Sequence, residues 1–136
     1  MNKKGFTLVE LLATIAIMGI MSGIAIMGVG KIIRRSRINY YKAEKNMIEI
    51  AAKNYFADHR SLLPKKANQS RKIYVETLWT TKYLEKKPMS HNNETTCLSS
   101  ETKKSKITIK KISKDKYEYK VDLYCEGIDE ELSNGS

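Results

Sequence analysis

Between Phe6 and Gly30 the chain runs for 25 residues with one charged side chain, Glu10. As a helix rising about 1.5 Å per residue, that run covers about 37 Å, enough to cross a bilayer core with some tilt. It therefore reads as a membrane segment. An ionised carboxylate near its start costs on the order of a few kcal/mol, so Glu10 persists where it has a partner or a job. Snorkelling to the headgroups at the helix end is one reading, and a paired carboxylate is the other.

The flanks narrow the choice. A secretory signal peptide has an apolar stretch of about 7 to 15 residues and then a small-residue cleavage site. This run is longer, and a helical pattern follows it. A plain anchor fits the length but leaves unexplained both Glu10 and the junction of Lys3, Lys4 and Gly5 with Phe6. Behind that short basic leader, Gly5-Phe6-Thr7-Leu8-Val9-Glu10 resembles the processing site of the type IV pilin and type II secretion pseudopilin family.

The resemblance implies that a membrane-embedded aspartyl peptidase cuts between Gly5 and Phe6 and methylates the new amine of Phe6. Gly5, with no side chain, lets a peptidase approach the backbone closely. Glu10 becomes the fifth residue of the mature chain, and the resemblance implies that it pairs with the N-terminal amine of a neighbouring subunit. A buried carboxylate opposite a buried ammonium costs far less than either alone, so such a pair sets register during assembly. The family also places the leader in the cytoplasm and the rest outside. Charge alone leaves orientation open, because Lys31, Arg34, Arg35 and Arg37 sit on the far side of the run from Lys3 and Lys4.

The formal net charge of the 136 residues is +10, and losing the two lysines of the leader lowers it to +8. A basic surface favours cell-wall polyanions, acidic lipids or DNA. Outside the membrane segment about 100 residues remain, enough for one compact domain. Cys97 and Cys125 lie in that exported part, and an even count outside the cytoplasm points to a disulfide. Free thiols are the alternative; a metal site lacks any CxxC spacing.

Helical periodicity continues past Gly30. Ile38, Tyr41, Ile48, Ala52 and Tyr55 recur at spacings that place them on one face, so a single helix from Phe6 to Phe56 is expected, about 75 Å long. It resembles the long pilin helix, whose first half packs in a filament core and whose second half supports a head. Gly19 and Gly23 form a small-xxx-small pair that lets helices approach closely in lipid. Where many pilins carry a proline, about 22 residues into the mature chain, this one has Met27.

Beyond Phe56 a polar stretch is broken by Pro64, and Val75, Leu78, Trp79 and Tyr83 predict a second helix over Tyr74 to Lys86, closed by Pro88, with Trp79 in the core. His59 and His91 sit in polar contexts and read as solvated. Two alternating runs, Lys106 to Lys110 and Lys116 to Tyr124, flank the turn signal Ser113-Lys114-Asp115 and predict a β-hairpin. Such a ribbon is marginal by itself, so it lies on the long helix or gains another strand. The tail from Glu126 is acidic, then rich in Ser and Gly, and reads as loosely ordered. Lysines crowd Lys103 to Lys120 with Tyr117 and Tyr119 between them. Lys106, Lys110, Lys111, Lys116 and Lys120 are candidates for binding polyanions, DNA included. The competing reading is a solvated lysine face that protects a sheet edge.

The fold class is therefore α+β: a long N-terminal helix with a transmembrane first half, and a small C-terminal head of a short helix with an antiparallel hairpin or small sheet. The expected divisions are a leader at 1–5, a membrane and filament-core helix at 6–30, its amphipathic continuation at 31–56 and a head at 57–136. No GxSxG, HExxH or P-loop is present, so the chain reads as a peptidase substrate and not an enzyme, with no cofactor. The resemblance implies a structural pilus subunit, a minor pilin by its small head and missing proline. Its partners would be other pilin subunits, a prepilin peptidase, an assembly ATPase and a platform membrane protein. The precursor would sit in the cytoplasmic membrane and the product in a pilus at the cell surface. The alternatives are a pseudopilin of a secretion or DNA-uptake system and, from another class, a singly anchored surface binding protein.

Overall fold

The computed structural model describes residues 4–135, the side chains of 24–27 excepted. The expected leader residues 1–3 and the side chain of Met27 lie outside the described residues, as does Ser136. The chain divides into two compact units, Met1–Ser36 and Arg37–Ser136, and helix α1, Leu8–Asp58, contributes to both.

In the first unit, residues 4–7 carry no regular structure and α1 begins at Leu8, two residues later than its periodicity suggested. Leu8, Leu11, Ile15, Met18, Ile20 and Met21 are all exposed. Among the described residues α1 is the one helix long and apolar enough to cross a membrane.

In the second unit, the same helix turns its apolar residues inward. Tyr41, Ile48, Ala52 and Tyr55 are buried on one stripe, as the spacing required, and Ala51 and Phe56 join them; Ile38 is only half-buried. The stripe packs into one core with Val75, Leu78, Ile107, Ile109, Val121 and Leu123.

Three antiparallel strands form the sheet, in the order β1 (Ser70–Tyr74), β2 (Lys106–Ser113), β3 (Lys116–Asp122). The hairpin gains its third strand from the end of the polar stretch: Ser70 to Tyr74 pair with Lys110 back to Lys106. Alternation holds on β2 and β3. Ile107, Ile109 and Val121 are buried, with Tyr117 and Tyr119 half-buried on the same side.

The second helix is shorter than expected: α2 spans Val75–Thr80, not Tyr74 to Lys86. The Thr80 and Thr81 hydroxyls both donate to the Thr77 carbonyl, and Lys82 then adopts a φ of 67°, which ends the helix. Trp79 is half-buried and stays outside the core; Lys87 Nζ lies 5.6 Å from its ring centre. His59 is exposed, as its polar context suggests, whereas His91 is half-buried. The His59 ring stacks on Tyr55 at 4.3 Å, and the Tyr41 hydroxyl lies 3.0 Å from His91 Nδ1 while accepting the His91 backbone N–H.

Cys97 and Cys125 are joined in a disulfide. Closing a loop of this size stabilises the fold by about 3 to 4 kcal/mol in the chain-entropy picture. Beside it the buried Ser105 hydroxyl donates to the Cys97 carbonyl at 2.7 Å and accepts the Tyr124 N–H at 2.8 Å, linking the covalent loop to the end of β3. The tail is docked where loose order was expected. Asp129 caps α3, Glu130–Asn134, by accepting from Glu131 N, and the Asn134 amide pairs with both backbone groups of Leu123 at 2.8 and 2.7 Å. That side chain takes the place of a neighbouring strand where the sheet edge ends.

Candidate functional site

The residues of the processing motif lie together at the start of the first unit. Gly5 and Phe6 precede α1 in irregular, exposed chain, and Phe6 keeps 77% of its surface accessible. Among the described residues, nothing beyond its chain neighbours comes within 4 Å of where a Gly5 Cβ would be. The peptide bond between these two residues thus lies in exposed, irregular chain.

Two residues further on, Thr7 and Glu10 close a reciprocal ring. Thr7 N–H donates to Glu10 Oε2 at 3.1 Å, the Thr7 hydroxyl donates to the same oxygen at 3.0 Å, and Glu10 N–H donates to Thr7 Oγ1 at 3.3 Å. The first regular α-helical bond follows, Leu11 N–H to the Thr7 carbonyl at 3.2 Å. This is a capping box: a threonine at the cap position and a glutamate three residues on satisfy each other's backbone donors. The negative carboxylate also stands at the positive end of the helix dipole. Glu10 therefore has a partner inside its own chain, and Thr7 is the site residue that the sequence reading passed over. The T-x-x-E signature that reveals it lies inside GFTLVE.

Gly19 and Gly23 are both exposed on α1, and beyond the helix's own neighbouring backbone no atom of the described residues lies within 4 Å of a Cβ built at either. Any demand for small residues there comes from outside this chain.

The candidate lysines divide between the two faces of the sheet. Lys106, Lys110, Lys116 and Lys120 alternate onto the face away from the core. Lys111 falls on the other face, where its Nζ donates to the Lys65 carbonyl at 3.0 Å and lies 5.8 Å from the Tyr117 ring centre. On the lysine face acids are interleaved: Lys106 stands opposite Asp122, Lys110 opposite Glu118, and Lys120 Nζ lies 3.9 Å from Asp122. Opposite charges at paired positions stabilise a register, and they dilute the positive field that a polyanion would feel.

A groove beside α1 is lined by Tyr40, Glu44, Met47, Leu84 and Pro88. Half-burial there pushes the Glu44 carboxyl above its ordinary value, partly offset by a hydrogen bond from Tyr40. Among the described residues no cluster of His, Cys, Asp and Glu could hold a metal ion.

Residues 1–26 match the prokaryotic N-terminal methylation motif, the class III signal peptide of type IV pilins and pseudopilins. No curated protein and no solved structure matches the chain. The motif supports a type IV pilin-like or pseudopilin precursor, and a motif of this type implies processing by a prepilin peptidase and polymerisation with other pilins. The apolar helix fits membrane anchoring before assembly.

Proposed function

We propose that this chain is a minor pilin: it is cut between Gly5 and Phe6, methylated on the Phe6 amine, and drawn into a surface pilus by the apolar first unit of α1. The observation that carries the reading is the junction itself. An exposed, irregular Gly5–Phe6 bond lies inside the matched motif and directly ahead of a helix whose apolar side chains are unburied. Burying that helix needs lipid before assembly and sister subunits afterwards.

Glu10 is the residue on which assembly turns. Once Phe6 carries a free amine, the carboxylate can exchange its Thr7 partner for the ammonium of a neighbour, in surroundings where either charge alone would be costly. An assembly ATPase and a platform membrane protein would supply the work and the docking point. Gly19 and Gly23 would sit where helices come closest.

The decisive experiment measures incorporation into sheared surface filaments, with Glu10→Ala beside the wild type. Counted per chain cut at the Gly5–Phe6 bond, because losing half of the Thr7–Glu10 ring also slows cleavage, the variant should be lost from filaments by tenfold or more. Incorporation at the wild-type level would sink the polymerisation account and favour a singly anchored surface protein.

A further inference from the structure

Peptide hydrolysis adds water across one bond. The carbonyl carbon of Gly5 gains the hydroxyl, and the Phe6 nitrogen takes a proton and leaves as the amine. Water must reach that carbonyl carbon, and the peptidase must grip the backbone around it. A bond inside an α-helix offers neither, because its carbonyl is tied to an N–H four residues on and side chains crowd its faces. A segment that precedes a long helix therefore needs something to stop the helix short of the scissile bond.

Residues 1–7 hold no proline, and the nearest residue before Thr7 whose side chain can cap a helix is Asn2, on the far side of Gly5. A helix started there would place the Gly5–Phe6 bond in its first turn. To grow upstream from Leu8, α1 would have to give Glu10 N–H to the Phe6 carbonyl and turn Thr7 N–H toward the carbonyl four residues before it. Both donors are already taken: Glu10 N–H by Thr7 Oγ1, and Thr7 N–H by Glu10 Oε2. The Thr7 hydroxyl fixes the same carboxylate at 3.0 Å, so three bonds hold one boundary. Gly5 resists helix as well, but it is a single weak breaker.

We propose that the Thr7–Glu10 capping box is a helix stop that keeps the Gly5–Phe6 bond in non-helical, exposed chain, which makes Thr7 a positioning residue for processing. This rests on the reading of the chain as a peptidase substrate. Thr7 touches neither the water nor the scissile carbonyl; it acts by deciding where the helix begins. The residue that later serves assembly, Glu10, thus serves cleavage first.

The test uses the full-length precursor in membranes with a prepilin peptidase, and compares Thr7→Ser, Thr7→Asn, Thr7→Val and Thr7→Ala. Ser and Asn cap helices at least as well as Thr, whereas Val copies its shape without the hydroxyl and Ala replaces the stop with the best helix former. The Ser and Asn variants should be cut with kcat/KM near the wild type. Val and Ala should be about fivefold slower, the factor that matches loss of one ordinary cap. In the uncut chain, amide exchange at Phe6 should slow in the Ala variant as that residue is drawn into helix. Rates that follow side-chain shape, with Val fast and Asn slow, would show direct reading of Thr7 by the peptidase and overturn the inference. Equal rates and unchanged exchange across the series would overturn it too. If the wild type itself is not cut, the processing reading fails, and the exchange data still decide whether Thr7 sets the helix start.

Discussion

Ile20 and Ile48 are the same residue on the same helix, yet Ile20 keeps 67% of its surface exposed and Ile48 keeps 0%. The contrast holds along α1: up to Ser36 the large apolar side chains among the described residues are exposed, and from Tyr41 to Phe56 a stripe of them is buried in the core with the sheet. The second unit satisfies its own hydrophobic surface, as an independent domain must. The first cannot, so its stability is borrowed from lipid or from other helices. One helix thus contributes to a fold at one end and to an environment or an assembly at the other.

The most direct way to break the contrast is to make one substitution in both places. Ile48→Ala should destabilise the second unit by about 2 to 5 kcal/mol, through lost transfer energy and a cavity left in the core to which Ile48 belongs. Ile20→Ala should leave thermal unfolding of that unit unchanged and weaken membrane partitioning by about 2 kcal/mol, the worth of the methylene groups removed. Equal shifts in the unfolding midpoint would mean that the two units share a core, and the comparison would collapse.

A smaller effect probes what the second unit owes to polar closure. Ser105 is fully buried, and its hydroxyl serves the Cys97 carbonyl and the Tyr124 N–H together. Ser105→Ala strands both, at a cost of about 1 to 3 kcal/mol in chemical denaturation with the disulfide intact. A change within error would mean that the disulfide alone positions the end of β3.

What could be read from the sequence follows the same division. Periodicity exposed α1 and the β2–β3 hairpin because each repeats one pattern over many residues, from Tyr41 to Tyr55 and from Lys116 to Asp122. β1 escaped because Ser70-Arg71-Lys72-Ile73-Tyr74 has almost no apolar alternation; it is a strand because β2 offers it an edge some 35 residues later, a non-local cause. The end of α2 escaped because helical spacing continues through Tyr83 while the Thr80 and Thr81 hydroxyls compete for the backbone. The tail was misjudged on composition, since the Asn134 pairing with Leu123 depends on a partner that only the fold supplies. In the matched N-terminal motif Gly5, Phe6 and Glu10 are legible as a sequence pattern, whereas Thr7 shows only as a T-x-x-E spacing whose reciprocal hydrogen bonds appear once the helix start is formed.

Two of the acids of α1, Glu10 and Glu44, differ as sharply as Ile20 and Ile48 do. Glu10 stands exposed at a helix start, held by hydrogen bonds from Thr7, whereas Glu44 is half-buried in the groove with Tyr40 and Leu84. Burial raises the Glu44 carboxyl above its ordinary 4.5, and the Tyr40 hydrogen bond offsets this only in part. The folded chain therefore holds its proton at a pH where the unfolded chain has released it. Proton uptake then favours the fold, so the contribution of Glu44 to stability is fully present below 4.5 and is lost as pH rises through the folded value. Glu44→Gln removes that dependence. The difference in unfolding free energy, wild type minus variant, should decline as pH rises above 4.5 and level off once pH has passed the folded value. A difference that grows with pH would reverse the assignment: the Tyr40 bond would then outweigh burial, and Glu44 would be a partnered carboxylate like Glu10 rather than its opposite.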